Sequence, residues 1–239
     1  MYKRVLLKLS GESLKGDSSL ILDADFVNDI ALMLKRLHDK GVELAIVIGA
    51  GNIFRGKIAT DVGIERVPAD YMGMLGTVMN AIALSSSLKN KGIESVVFSA
   101  LPGIDPVTQD YEQTSALRAL NEKKVVFLSG GTGKPYFTTD TAATMRALEL
   151  ECDAILMGKN GVVGVYDDDP RKNPNAKFIK DITYDEILEK KLSVMDQTAV
   201  ELIKDKNIDI RVFSMVDLEN FERVVDGEDI GTVCHRKGK

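Results

Sequence analysis

The sequence contains no tryptophan, and aromatic residues make up only 6% of its 239 residues. Proteins that bind single-stranded nucleic acid stack the bases on aromatic side chains, so this scarcity argues against such a platform. The net charge of −5 also argues against a broad positive surface for nucleic acid. Nucleic acid is therefore not an expected partner, and any anionic ligand needs its cations gathered at one site.

Cysteine and histidine occur only twice each. Cys152 and Cys234 lack metal-ligand spacing, and His38 and His235 form no zinc motif, so we expect no metal site built from these side chains. Two unpaired thiols are typical of a reducing compartment. No secretory leader follows Met1, and no apolar run approaches the ~20 residues of a membrane helix. We therefore expect a cytoplasmic protein that does not contact a membrane.

Short apolar runs rich in β-branched residues alternate with segments of helical periodicity. Six runs are predominantly apolar rather than alternating, which is typical of strands covered on both faces of a parallel sheet. These predicted strands are 5–9, 44–48, 95–99, 125–129, 154–157 and 210–213. The predicted helices are 23–40 (ended by Gly41), 71–89, 114–121, 140–149 and 196–206. The alternation predicts an α/β fold, a three-layer α/β/α sandwich with a mainly parallel central sheet. No linker divides the chain, so we expect a single domain over 1–239.

Three predicted strands run into glycine-rich turns, at the edge where open α/β sheets bind ligands. The turns are Leu9-Ser10-Gly11-Glu12, Gly49-Ala50-Gly51-Asn52 and Gly130-Gly131-Thr132-Gly133. Glycine lets backbone N–H groups approach an anion closely, and each turn leads toward a helix N-terminus. Three such turns predict one large phosphorylated ligand or two smaller ones.

These turns match neither of two familiar nucleotide-binding motifs. A P-loop ending at Lys134 needs a glycine and a hydroxyl where the chain has Leu128 and Pro135. A dinucleotide fingerprint starting at Gly49 needs a third glycine where the chain has Phe54. P-loop kinases and Rossmann dehydrogenases are therefore not supported.

A cation lies beside each of the first two turns: Lys8 precedes the Ser10-Gly11 pair, and Arg55 follows the second turn. Lys8 lies near the end of the first predicted strand, where its ammonium could offset the charge of a transferring phosphoryl group. A lysine that reaches from a strand to water explains the same position equally well. Arg55 follows the second turn and could bind a phosphate in a bidentate manner, but taken alone a surface arginine is the simpler interpretation.

Segment 130–140 places glycines, threonine hydroxyls, a lysine and an aromatic pair in one loop that leads to a helix. Capping of that helix by Thr139 or Asp140 explains one residue and not the ten before it, so a ligand-binding loop is favoured. The acidic turn 166–170 fits either a metal site or a solvated turn. The methionine-rich helical stretch 71–84 indicates a packing surface or a subunit interface.

Together these segments resemble the amino acid kinase superfamily and, within it, the bacterial UMP kinase family. The matching segments run in order along the chain and are 7–12, 49–56, 70–74, 131–140, 164–170 and 194–196. Segments 70–74 and 131–140 favour UMP kinases over relatives that phosphorylate carbamate, glutamate, acetylglutamate or aspartate.

The resemblance implies reversible transfer of the ATP γ-phosphoryl group to UMP, with Mg²⁺ as cofactor, in pyrimidine nucleotide synthesis. It also implies a homohexamer that UTP inhibits and GTP activates. The UMP side would lie mainly in 1–150 and the ATP side mainly in 151–239.

The resemblance also implies roles for individual residues. Lys8 and Asp196 would be catalytic, Asp196 standing where the superfamily keeps an aspartate that organises Mg²⁺ and the catalytic lysine. The implied ATP contacts are Lys8, Leu9, Ser10, Gly11, Gly51, Arg55, Asn160, Tyr166 and Asp169. The implied UMP contacts are Ala50, Asp70, Thr132, Gly133, Lys134, Pro135, Tyr136, Phe137, Thr138, Thr139 and Asp140.

Two positions depart from the family pattern. Ala50 replaces a glycine and is strained if its φ is positive, and Val163 replaces an aspartate beside the ATP side. Asn160 lies in a stretch that varies within the family, so its contact could shift by one position. These departures leave two alternatives open, namely a sister kinase acting on a small carboxylate or carbamate, and a non-catalytic nucleotide sensor of the same fold.

Overall fold

The computed structural model describes residues 2–16 and 20–238, and eleven strands and nine helices lie within them. The strands are β1 (Arg4–Leu9), β2 (Glu43–Ile48), β3 (Ser95–Ser99), β4 (Gln109–Asp110), β5 (Val125–Ser129), β6 (Ala154–Lys159), β7 (Val165–Tyr166), β8 (Phe178–Ile179), β9 (Asp181–Thr183), β10 (Asp209–Ser214) and β11 (Thr232–His235). The helices are α1 (Gly11–Lys15), α2 (Ala24–Asp39), α3 (Gly56–Asp61), α4 (Arg66–Lys89), α5 (Gln113–Asn121), α6 (Thr139–Glu149), α7 (Tyr184–Glu189), α8 (Gln197–Ile203) and α9 (Glu219–Val225).

Nine of the strands form one sheet in the order β4-β3-β5-β2-β1-β6-β10-β11-β9. Neighbours pair in parallel except β10 with β11, which confirms the predicted mainly parallel sheet. β7 and β8 form a separate antiparallel hairpin. β1 is central, with β2 on one side and β6 on the other, so the strand order changes direction there. Open α/β sheets bind ligands at such a switch point.

Each face of the sheet is covered by its own layer of helices. One apolar cluster joins the sheet to α5, α6, α7 and α8, and the other joins it to α2, α4 and α9. Successive residues of a strand point to opposite faces, so Leu6 enters the first cluster while Val5 and Leu7 enter the second. The three-layer sandwich is thus confirmed, and Lys8 shares the α6 and α8 face with Leu6.

Several element boundaries differ from the sequence predictions, and one difference affects the site. Neither Thr139 nor Asp140 caps α6, because Thr138 does: its hydroxyl accepts hydrogen bonds from the backbone N–H groups of Asp140 and Thr141. Thr138 has the extended backbone that an N-cap requires. The Asp140 carboxylate is therefore free to face β1.

The remaining differences are of length. α4 begins at Arg66 rather than at residue 71, and α8 ends at Ile203 rather than at 206. Four helices of five to seven residues and five strands of two to four residues were not predicted, because such short segments carry little periodic pattern. Within the described ranges, none of the helices has both the length and the apolar character needed to cross a bilayer.

Candidate active site

The first two glycine turns lie against each other at the carboxyl ends of β1 and β2. The Gly49 N–H donates to the Leu9 carbonyl at 2.9 Å, and Asn80 of α4 donates to the Gly49 carbonyl at 2.8 Å. A Cβ added to Gly11 would lie 2.3 Å from that same carbonyl oxygen. Gly11 is required because no side chain fits between the two turns.

The third glycine turn is pressed against the chain that follows β3. Gly130, Gly131 and Gly133 all have positive φ values, which favour glycine. A Cβ on Gly130 or Gly133 would lie 2.9 or 2.7 Å from backbone atoms of Ala100. The Gly130 N–H also donates to the Thr77 hydroxyl at 2.8 Å. Close packing therefore accounts for these glycines before any ligand is considered.

Asp70 of α4 anchors the loop that follows. The N–H of Tyr136, a residue with a φ of 72°, donates to the Asp70 carboxylate at 2.7 Å. Arg66 Nε donates to both oxygens of that carboxylate at 2.8 Å, and its guanidinium lies 5.6 Å from the centroid of the Tyr136 ring. The carboxylate therefore sets the path of the loop on one side of a cleft.

We name this the first cleft; it has a volume of about 630 Å³ and lies between α3, α4 and the 131–139 loop. Seven residues predicted to contact UMP line it, namely Ala50, Asp70, Thr132, Lys134, Phe137, Thr138 and Thr139. Gly51, predicted on the ATP side, lines it as well. The other four predicted UMP contacts lie outside the lining of this cleft: Gly133, Pro135, Tyr136 and Asp140.

Ala50 is accommodated without strain, contrary to the concern raised by its departure from glycine. Its backbone lies outside the left-handed region. Its methyl group faces Gly76 of α4, where an added Cβ would lie 2.8 Å away. The missing side chain at Gly76 thus makes room for the extra methyl group at Ala50.

An ion pair between Lys8 and Asp140 stands at the carboxyl end of β1. Lys8 Nζ lies 2.7 Å from Asp140 Oδ1, and each side chain is only 18% exposed. The distance is that of a hydrogen bond, yet this enclosed oxygen receives no hydrogen bond of ordinary geometry from the described residues. We therefore treat the contact as a charge–charge attraction, which depends on distance more than on angle.

Asp196 supports this pair from the neighbouring helix and does not itself pair with the lysine. It caps α8 by accepting from the Ala199 N–H at 2.9 Å, and it accepts hydrogen bonds from the hydroxyls of Thr138 and Thr141. Its own N–H donates to Asp140 Oδ2 at 3.3 Å. The resemblance implied that Asp196 organises Mg²⁺ and the catalytic lysine, and that role stays a prediction; the ion pair with Lys8 is made by Asp140.

The carboxylates differ in their fitness for Mg²⁺. No group of three or more His, Cys, Asp or Glu side chains in the described part of the chain is placed to hold a metal. A nucleotide-bound Mg²⁺ needs only one or two carboxylates, because phosphates and water supply the other ligands. Asp140 fits, since its Oδ1 has no ordinary hydrogen bond, whereas both oxygens of Asp196 already accept hydrogen bonds.

A second cleft of about 510 Å³ lies between the end of β6, the β7–β8 hairpin and residues 190–194. Asn160, Tyr166 and Asp169, all predicted to contact ATP, line it. The Tyr166 ring meets the Phe178 ring edge-on, with 5.7 Å between the centroids. Val163 is exposed and lies outside this lining, so the departure at that position removes no wall of the cleft.

The acidic turn beside the second cleft uses its carboxylates internally. Asp167 accepts from the Lys177 N–H, Asp168 from the Asn173 side chain, and Asp169 from Arg171. These bonds favour the interpretation of a hydrogen-bonded solvated turn over that of a metal site.

Five of the predicted ATP contacts line neither cleft: Lys8, Leu9, Ser10, Gly11 and Arg55. Leu9 is fully buried, so only its backbone can take part. The Arg55 guanidinium is engaged with Glu12 at 2.6 Å and with the Gly51 carbonyl at 3.2 Å. A phosphate would have to draw it away from these partners.

Lys159 was missed by the sequence analysis, which ended the strand at Met157. It is the last residue of β6, lines the second cleft, and donates to the Val194 carbonyl at 3.2 Å. Burial lowers the pKa of its ammonium, and the positive charge of Lys8 lowers that pKa further. Strand alternation could have revealed it, because residues 155, 157 and 159 share one face.

Comparison with known proteins agrees with this geometry. The sequence model of the amino acid kinase family matches residues 3–214. The chain belongs to the amino acid kinase family. This kinase is 48% identical to the uridylate kinase of Aster yellows witches'-broom phytoplasma (strain AYWB), over 100% of this chain and 99% of that protein.

Two solved structures are similar to this amino acid kinase over nearly its whole length. The UMP kinase of Bacillus anthracis superposes with a TM-score of 0.95 at 37% identity, covering 99% of this chain and 97% of that one. The UMP kinase of Ureaplasma parvum superposes with a TM-score of 0.92 at 37% identity, covering 99% and 100%. The predicted amino acid kinase fold is thereby confirmed.

Proposed function

We propose that this protein is a UMP kinase, which transfers the γ-phosphoryl group of ATP to UMP and gives UDP and ADP. One observation carries the proposal: the Lys8–Asp140 pair, which lines neither cleft, adjoins a residue of each. Asp140 follows Thr139, which lines the first cleft, and the charge of Lys8 acts on Lys159, which lines the second. Two nucleotides that enter the clefts with their phosphates inward meet at Lys8. The similarity to uridylate and UMP kinases supports the choice of nucleotides.

UMP occupies the first cleft in this proposal, and ATP places its adenosine in the second. Asp70 and the 132–139 loop surround UMP, and Asn160, Tyr166 and Asp169 surround the adenosine. The backbone of the Ser10–Gly11 turn faces the ATP phosphates near Lys8. Asp196 is a positioning residue, since it holds the first turn of α6 and thereby Asp140.

The chemistry demands little from a general base. A phosphate monoester is largely dianionic near neutral pH, because its second pKa is about 6, so UMP can attack the γ-phosphorus of ATP directly. The barrier is the approach of two anions, which Lys8 offsets while the clefts hold the reactants in line. Asp140 is the carboxylate that would hold Mg²⁺ beside the ATP phosphates, and the ion would neutralise further charge there.

The test is release of ADP from ATP with UMP, CMP, glutamate or carbamate as acceptor, using the native chain and Lys8→Met. The proposal expects release with UMP that Lys8→Met abolishes or greatly slows. Release with glutamate or carbamate in place of UMP indicates the sister kinase. Tight UTP binding without release on any acceptor indicates the non-catalytic sensor.

We further infer that the enzyme acts in the cytoplasm, in pyrimidine nucleotide synthesis, as a homohexamer inhibited by UTP and activated by GTP. The assembly is supported by an apolar strip on the exposed side of α4, formed by Tyr71, Met72, Leu75 and Met79. Such a strip is typical of a subunit interface. Sedimentation of the native chain, with Met79→Glu as the disrupting variant, tests the assembly. Rates measured with added UTP or GTP test the regulation.

A further inference from the structure

Lys159 lies on the same face of the sheet as Lys8, the face that α6 and α8 cover. The two strands pair in parallel, with Lys8 opposite Met157. Side chains two residues apart on a strand point the same way, so Lys159 lies on the face of Met157 and Lys8, one step farther along β6. It therefore lines the second cleft on the face of the sheet that carries Lys8.

The Lys159 ammonium is only partly satisfied by the protein. It has three N–H donors. In the portion of the chain that the structure describes, its one hydrogen-bond acceptor is the Val194 carbonyl at 3.2 Å. Two donors are thus left for a ligand in the second cleft.

The charges around Lys159 also favour an anion. Asp140 is the carboxylate that acts on Lys159, and Lys8 already contacts it at 2.7 Å. Burial and the charge of Lys8 both lower the Lys159 pKa, while Asp140 and Cys234 act in the opposite direction. Because that carboxylate is already paired with Lys8, a polyanion supplies the negative charge that the partly buried Lys159 ammonium lacks.

We propose that Lys159 is a second phosphate-binding residue, which contacts the phosphate chain of ATP between the second cleft and Lys8. The inference rests on the proposed function, because it needs ATP in the second cleft. The competing explanation is that Lys159 only ties the Val194 segment, and so the start of α8, to β6. If Lys159 binds phosphate, removing its charge weakens binding more for a ligand with more phosphates. If Lys159 only ties the Val194 segment to β6, the loss of affinity is the same for ATP, ADP and AMP.

The experiment measures dissociation constants of ATP, ADP and AMP by calorimetry at fixed Mg²⁺, for the native chain, Lys159→Met and Lys159→Arg. Methionine keeps the length of the side chain and removes the charge. In Lys159→Met, loss of charge-assisted hydrogen bonds is expected to weaken the binding of ATP by about 10- to 100-fold and that of AMP by less than about twofold. Lys159→Arg is expected to restore most of the affinity for ATP.

Lys190→Met is the matched control, because Lys190 also lines the second cleft but is exposed and paired with Glu186 at 3.7 Å. It should change the affinity for ATP by less than about threefold, as for an exposed ion pair. Equal losses for ATP, ADP and AMP in Lys159→Met, or equal losses of ATP affinity in the two methionine variants, overturn the inference. If Lys159→Met does not fold, Lys159→Gln gives the same comparison.

The same measurements separate this inference from the proposed function. A native chain that binds ATP but transfers no phosphoryl group to UMP contradicts the proposed function, while the ratio of ATP to AMP affinities still decides the role of Lys159. A native chain that binds no adenine nucleotide contradicts both.

Discussion

The walls of the two clefts are held together in different ways. In the first cleft, the Asp70 carboxylate binds the Tyr136 N–H across 66 residues of sequence, and the Thr77 hydroxyl binds the Gly130 N–H across 53. In the second cleft, the acidic turn is closed by bonds that span 2, 5 and 10 residues, made by Asp169, Asp168 and Asp167.

This difference indicates which substitutions should have effects outside the cleft in which they are made. The wall of the first cleft depends on the packing of α4 against the 130–138 loop, so a change there should affect both the stability of the fold and the binding of UMP. The acidic turn of the second cleft is closed locally, so a change in it should affect ATP binding and leave the sheet intact. In our proposal Lys8 and Asp140 serve both clefts.

The largest effect is expected for Lys8→Met, which removes the charge between the clefts. We expect kcat to fall by about 10²- to 10³-fold, as when one group that stabilises transition-state charge is lost, with a much smaller change in the KM for UMP. Steady-state kinetics measures both. Lys3→Met, at the exposed start of the same segment, is the control and should keep its rate. A near-normal kcat for Lys8→Met removes this lysine from the mechanism.

Asp70→Asn should act on the first cleft alone. Loss of the charge weakens the bonds to Arg66 and to the Tyr136 N–H, so we expect the KM for UMP to rise by about tenfold while the KM for ATP stays within about twofold. Arg66→Met should produce a smaller change in the same direction if the carboxylate acts by anchoring the loop. An equal rise in both KM values contradicts the separation of the clefts.

Tyr166→Ala should act on the second cleft alone. The ring lines the cleft and packs edge-on against Phe178, and loss of a stacking surface of this kind costs about 1 kcal/mol, or about fivefold in the KM for ATP. The KM for UMP and the thermal midpoint should change little. Tyr166→Phe, which keeps the ring, is the control. A matching rise in the KM for UMP contradicts the local character of this wall.

The smallest effect on turnover is expected for Ala50→Gly, whose methyl group is not strained. Gly76→Ala should instead destabilise the fold by about 1–3 kcal/mol, because its Cβ would lie 2.8 Å from the Ala50 methyl group. Ala50→Gly in the Gly76→Ala background should recover most of that loss. Denaturant unfolding of the four chains forms a double-mutant cycle. If the changes in the free energy of unfolding are additive, the side chains at positions 50 and 76 do not compete for the same space.

Long buried elements could be predicted from the sequence because their patterns are strong. The six apolar strands and five longer helices are present, and with them the parallel sheet and its three layers. The short β7–β8 hairpin could not be predicted, because two residues per strand carry no periodicity.

Composition pointed to the region of the site but not to its contacts. Glycines and hydroxyls marked the 130–140 loop, yet the residue that caps α6 is Thr138 rather than Thr139 or Asp140, and the ion pair of Lys8 with Asp140 was not predicted. Lys159 lay two residues past the predicted end of its strand. These contacts depend on which distant segments meet, and no local pattern records that.

A bisubstrate compound that joins adenosine to uridine through a polyphosphate chain tests most directly whether the two clefts meet at Lys8. We predict that one molecule binds per chain, competes with both ATP and UMP, and binds about 10²- to 10⁴-fold more tightly than either. Asp70→Asn and Tyr166→Ala should each weaken it, and the double variant should show the sum of the two losses in free energy. Competition with only one of the nucleotides, or sensitivity to only one of the substitutions, contradicts the account.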